Sequence, residues 1–173
     1  MNLTRVILLD TDIYFNEDIV NLWNHFDSFN DSQAFALVEE FTNWYTKYSN
    51  WPVAKDVYNS GVILLDLGKL RRDRWNLIWK SEFLKPILRL KQISLGDQDI
   101  FNLVIKNWPQ MFYELPCSWN VQLNGGTYDL TKCIYDHPIK ILHWNYPKKV
   151  IDFRKLQAPV LTVVENLKKL DLL

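Results

Sequence analysis

Asp10 and Asp12 are the residues whose types and spacing most directly suggest chemistry. They close the run Val6-Ile7-Leu8-Leu9-Asp10-Thr11-Asp12-Ile13-Tyr14-Phe15, separated by one residue. An extended backbone sends residues i and i+2 to the same side, so the two carboxylates should point together and could grip a hard divalent cation. Asp-x-Asp triplets also occur as turns and solvated acids; the position at the end of a greasy strand favours the cation. Three further groups carry polar chemistry: Asn59-Ser60-Gly61, Gly96-Asp97-Gln98-Asp99, and His143 with Lys149 six residues on. Each has a plain structural explanation when taken alone. Asn-Ser-Gly is turn-like, acids in a first helical turn complement the helix dipole, and a histidine at a strand end is more often structural than metal-bound.

The elements that would position these groups follow from apolar spacing. Val6 to Leu9 are four consecutive branched residues bounded by charge, which reads as a strand buried on both faces in a parallel α/β sheet. In such sheets ligands bind beyond the carboxyl ends of strands. Asn16-Glu17-Asp18 resembles a helix start, with Ile19, Leu22, Trp23 and Phe26 at helical spacing and His25 at the C-terminal end. Ala34 to Val38 is a short strand leading to Glu39-Glu40. Trp44, Tyr45, Tyr48 and Trp51 crowd a segment without a clear period, which is either packed down as a lid or exposed for a ligand. Val62 to Leu65 reads as a strand entered through the Asn59-Ser60-Gly61 turn. Trp75, Ile78, Trp79 and Phe83 predict a helix over 69–84 closed by Pro86. Leu95-Gly96-Asp97-Gln98-Asp99 opens another helix through Ile105, ending before Pro109. Met111 to Leu115 and Ile139 to Trp144 complete the strands.

With 173 residues the chain suits a single domain, 1–173, in which 151–173 forms a C-terminal helical tail. Twenty basic and 20 acidic residues cancel, which removes any global attraction to nucleic acid or anionic membrane. The eight tryptophans suit a packed core or flat surfaces on which sugar rings stack. Cys117 and Cys133 lack the spacing of a zinc knuckle; they could pair in an oxidising compartment or remain two buried thiols. No stretch is long enough to span a membrane, and the N-terminus runs into the first strand without a signal peptide pattern.

Taken in order, Asp10-Thr11-Asp12, Asn59-Ser60-Gly61, Gly96-Asp97-Gln98-Asp99 and His143-Trp144-Asn145-Tyr146-Pro147-Lys148-Lys149 are far more specific than any one of them. The pattern resembles the retaining glycosyltransferases of family 8, nucleotide-sugar enzymes of the glycosyltransferase-A fold, a Rossmann-like mixed sheet flanked by helices. Leu115-Pro116-Cys117-Ser118-Trp119-Asn120-Val121-Gln122-Leu123, Asp97-Gln98-Asp99-Ile100-Phe101-Asn102 and Ile141-Leu142-His143-Trp144-Asn145 look most like the family's xylosyltransferase domains that act in dystroglycan glycosylation. The likeness covers nearly the whole chain and fades after about Val150.

That resemblance implies Asp10, Asp12 and His143 as ligands of Mn2+, a metal that a site of two carboxylates and an imidazole favours over calcium or magnesium. It implies that Asn59, Ser60 and Gly61 lie near the donor sugar, that Asp97 meets its hydroxyls and that Gln98 lies beneath the anomeric carbon. Trp144 would line the substrate site and Lys149 would pair with the departing diphosphate. The implied reaction moves xylose from UDP-xylose to a glucuronate-terminated glycan on a glycoprotein, in the Golgi lumen, as part of a type II membrane protein whose anchor lies outside this chain. The family fold opens with strands that cradle the uridine, and this chain starts at the strand of the acidic pair, so it is expected to hold the catalytic part of the domain. Two departures stand out: family members often carry a glycine where Tyr146 stands and Pro-Trp where Val150-Ile151 stand. Two rival readings are a haloacid-dehalogenase phosphatase, which wants Thr or Val where this chain has Tyr14, and an inactive or sugar-binding remnant of a transferase.

Overall fold

A computed structural model describes residues 3–42, 44–47, 49–123, 133, 138–145 and 158–169. Two small sheets are flanked by helices. The first holds β1 (Arg5–Leu9), β3 (Phe35–Glu39), β4 (Tyr58–Asp66) and β5 (Phe112–Glu114) in the order β1-β4-β3-β5. β4 is antiparallel to both β1 and β3, whereas β3 and β5 run parallel. The second holds β2 (Ile13–Phe15), β6 (Val121–Gln122) and β7 (Ile141–His143) in the order β2-β7-β6, with β2 antiparallel and β6 parallel to β7.

β3 and β4 form the middle of the molecule because they bury both faces. Phe35 and Leu37 from one face, with Ile63 and Tyr58, pack on Phe101, Val104 and Ile105 of α5 (Asp97–Asn107) and on Leu70 and Trp75. Ala36 and Val38 from the other, with Val62 and Leu64, pack on Leu22, Phe26, Leu115, Trp119 and Ile141. The period of two in β-structure sends alternate residues to these two cores. Each such aliphatic side chain contributes about 1.5–3 kcal/mol on burial.

β1 departs from its sequence reading. It pairs antiparallel to β4 at the edge of the sheet and leaves Leu8 48% exposed, so two-face burial belongs to β3 and β4 instead. Asn59-Ser60-Gly61 is not a turn; it lies within β4. The helix expected from Asn16 is α1 (Ile19–Trp23), capped by Asp18, whose side chain accepts from Val20 N–H, and it continues as a 3-10 segment over Asn24–Ser28. The helix expected over 69–84 divides into α3 (Leu67–Arg72) and α4 (Trp75–Leu90). Arg74, at φ 58°, makes the break, and Pro86 lies inside α4 without ending it. The aromatic segment is packed down: besides the short helix α2 (Trp44–Lys47), it buries Tyr45 and Trp51 against α5. Tyr48 lies outside the described residues. A final helix, α6 (Ala158–Lys169), falls in the expected tail and places Val163 among Val121, Leu123 and Leu142.

Candidate metal centre and donor site

The two sheets meet at Asp10-Thr11-Asp12, the three residues joining β1 to β2. Backbone hydrogen bonds hold this junction from both sides. Asp10 N–H donates to Gly61 O of β4 at 3.0 Å, and Trp144 N–H, just past β7, donates to Asp12 O at 2.8 Å. Pairing of Ile13 with His143 across β2 and β7 then brings the end of β7 beneath the acidic pair. His143 is 2% exposed, and its Nε2 stands 3.3 Å from Asp10 Oδ2 and 3.3 Å from Asp12 Oδ1. One ligand atom from each of the three lies within 4.8 Å of the others. Three ligands held about 2.1 Å from one octahedral ion stand about 3 Å apart at neighbouring vertices, so this spacing fits a shared cation. An imidazole with two carboxylates is also a suitable donor set for a divalent transition metal. Asp10 is the most exposed of the three and faces solvent, where a ligand can enter.

Gly61 is demanded by this geometry. A Cβ there would fall on the His143 ring, which therefore packs directly against the β4 backbone. Of its neighbours, Ser60 turns toward α5, whereas Asn59 bonds to Glu40 and Asn120. Asn59 is nearly buried and Ser60 is half-buried. Ser60 N–H donates to Gln98 Oε1 at 3.1 Å, and Ser60 Oγ donates to Asp97 Oδ1 at 3.2 Å. The start of α5 is set by Gly96, at φ 62°, a conformation that glycine adopts without strain. Asn102, one turn along, clamps α5 to β4: its Oδ1 accepts from Tyr58 N–H at 2.7 Å, and its Nδ2 donates to Tyr58 O and Gln98 O at 2.8 Å each. Asp97 is exposed at the mouth of the site and Gln98 lies buried behind it.

The structure thus gathers Asp10, Asp12 and His143 in one cluster and joins Asn59, Ser60, Asp97 and Gln98 in a second beside it. Trp144 is half-buried against Val121 and Leu142. Lys149 lies outside the described residues. Sequence reasoning assigned no role to Glu40 or Asn120, both buried at the centre of the site. Glu40 follows an apolar strand as Asp10 does, and that position could have marked it. Asn120 carried no comparable signal, because its importance depends on residues distant in the chain. His25 has no part in the site; its Nε2 accepts from Trp119 Nε1–H at 2.8 Å. Burial and the nearby Lys140 charge hold its pKa below the usual 6.5. Cys117 and Cys133 form a disulfide, with Cα atoms 5.7 Å apart.

The mixed sheets flanked by helices, with a carboxylate pair and a distant imidazole where the two sheets meet, make up a glycosyltransferase-A-like fold. Residues 1–150 match Glycosyl transferase family 8, and the chain belongs to that family. It is 44% identical over 154 residues to the mouse xylosyl- and glucuronyltransferase LARGE2, covering 86% of this chain and 22% of that protein. Human xylosyl- and glucuronyltransferase LARGE1 is 44% identical over 155 residues, covering 86% and 20%. The chain therefore spans about a fifth of the length of these curated relatives. Among solved structures, mouse xyloside xylosyltransferase 1 in its apo form superposes with a TM-score of 0.65 at 25% identity, covering 86% of this chain and 59% of that one. The galactosyltransferase LgtC gives 0.62 at 17% identity, over 96% and 62%, which speaks to the fold alone.

Proposed function

We propose that this chain carries the catalytic centre of a retaining, Mn2+-dependent transferase that moves xylose from UDP-xylose to a glucuronate-terminated glycan. The convergence of Asp10, Asp12 and His143 within bonding reach of one ion carries this reading. The similarity to xylosyl- and glucuronyltransferases supports the choice of donor. Bound Mn2+ would neutralise charge on the nucleoside diphosphate; at an effective dielectric of about 20, two unit charges 4 Å apart repel by ~4 kcal/mol. Lys149 would add a cation for the departing phosphate.

The chain's own residues would do the positioning. Asp97, exposed beside Ser60, accepts from sugar hydroxyls, and Trp144 lines the pocket next to His143. Gln98 lies beneath the anomeric carbon, where an amide stabilises developing charge but forms no lasting glycosyl ester. The acceptor hydroxyl oxygen then bonds to C1 on the face from which UDP departs. The C1–O bond to the β-phosphate breaks, and the hydroxyl proton passes to the leaving phosphate, so configuration is retained. The Cys117–Cys133 disulfide supports an oxidising lumen such as the Golgi as the working compartment.

The deciding experiment measures UDP release from UDP-xylose with a glucuronate-terminated acceptor. Release should require Mn2+ and fall at least 100-fold in His143→Ala and in Asp12→Ala. Equal rates with and without chelator would end this reading. Mn2+ and UDP binding that proceed independently of each other would mark a sugar-binding remnant instead.

A further inference from the structure

We infer that Asn120, Asn59 and Glu40 form a buried relay that sets the tautomer of His143 and ties the metal centre to Gln98, with Asn120 as a positioning residue. His143 Nδ1 meets Asn120 Oδ1 at 2.9 Å. Asn120 Nδ2 meets Asn59 Oδ1 at 2.8 Å, and Asn59 Nδ2 meets Glu40 Oε2 at 2.9 Å. All four side chains are at least nine-tenths buried.

The direction of every bond in this chain is determined by one backbone group. Gly61 N–H, which can only donate, points at the same Asn59 atom at 2.9 Å, so that atom is the carbonyl oxygen. Asn59 Nδ2 is then the donor to Glu40, and Asn120 must present its own Nδ2 to Asn59. Asn120 therefore turns Oδ1 to His143, whose Nδ1 must carry the proton. The Nε2 lone pair is left facing Asp10 and Asp12, the form a metal ligand requires. Glu40 terminates the relay as an acceptor at both oxygens: Oε1 takes Thr42 N–H at 2.9 Å, and Oε2 also takes Gln98 Nε2 at 3.2 Å. One carboxylate thus orients both the imidazole and the amide proposed to lie beneath the sugar. This also changes the part assigned to Asn59, whose two amide atoms are already occupied by Asn120, Gly61 and Glu40.

The relay rests on the metal-centre reading for its purpose but not for its existence, and the test separates the two. In the metal-free full chain labelled with 15N-histidine, at alkaline pH, two-bond nitrogen–proton spectra report which ring nitrogen is protonated. Resonances are assigned by replacing His25 and His137 in turn. His143 should carry its proton on Nδ1; a proton on Nε2 in the wild-type chain overturns the relay without any variant. Asn120→Leu keeps volume but removes the acceptor, and should lose the Nδ1–H preference and weaken Mn2+ binding 10–100-fold by titration of the free-ion resonance. Asn120→Asp keeps an acceptor oxygen toward His143 while losing the donor to Asn59 Oδ1, so it should keep the Nδ1 proton that Asn120→Leu loses. Equal behaviour of the two variants would reduce Asn120 to a space-filling residue. If the wild-type chain took up no Mn2+, the metal reading would fail while the tautomer still judged the relay.

Discussion

His143 shows how little freedom a ligand residue has once its surroundings are packed. Its ring is gripped at Nδ1 by Asn120, packs against Gly61, and presents Nε2 to two carboxylates. Gly61→Ala should push that ring away from Asp10 and Asp12. Overpacking of this kind costs about 1–3 kcal/mol, and Mn2+ affinity should fall at least 10-fold in a direct titration. His25 behaves differently. It is held neutral as the acceptor for Trp119 Nε1–H, and its pKa lies below 6.5 because burial, then Lys140, disfavours the charged form. The unfolded chain takes up this proton more readily than the folded one, so the stabilisation is complete above pH 6.5 and declines as pH falls toward the lowered value. His25→Gln keeps an acceptor without titrating. Its melting temperature should therefore fall less steeply than that of wild type below pH 6.5.

At the scale of elements, the polar strand-helix junction is held by buried side chains. Asp99, the third residue of α5, is fully buried. Its Oδ2 accepts from Ser94 N–H at 2.7 Å and Leu95 N–H at 3.0 Å, and its Oδ1 accepts from Tyr45 Oη at 2.8 Å. Burial and the Asp99 carboxylate push the Tyr45 phenol far above its usual range, so it stays a donor. Trp51 Nε1 adds a bond to Asp99 O at 2.9 Å. Asp99→Ala leaves the buried Tyr45 hydroxyl and two part-buried amide donors without this acceptor and should cost about 3 kcal/mol, read by denaturant unfolding. It should also free the aromatic segment, so that protease cleaves within residues 41–57 before global unfolding. By helical position alone, Asp99 and Asp97 read alike as acids in a first turn; only the family resemblance gave Asp97 a role. The two acids differ only because the helix turns one toward solvent and the other toward Tyr45.

At the scale of the molecule, the second sheet carries His143 and is tied to the rest by the Cys117–Cys133 disulfide and by β2. The two cysteines are 16 residues apart, and closing a loop of that size stabilises by about 3 kcal/mol. Replacing both by serine should lower the melting temperature on the order of 10 °C. The first sheet, held by the two cores around β3 and β4, should lose less amide protection in hydrogen exchange than β6 and β7.

Much of this molecule was legible in the order of its residues. The apolar runs located β1, β3, β4, β5 and β7 to within a few residues, and the four polar motifs marked the family. Local patterns suffice there, because alternation and helical spacing are properties of the chain itself. Three things needed the folded structure: β1 at an edge, Asn59-Ser60-Gly61 inside a strand, and Glu40 and Asn120 at the centre of the site. Strand pairing decides which side of an apolar run meets a neighbour, and only packing links Glu40, Asn59, Asn120 and His143 in one series of hydrogen bonds. No spacing along the chain encodes such contacts, since their partners are brought together by the burial of the two cores.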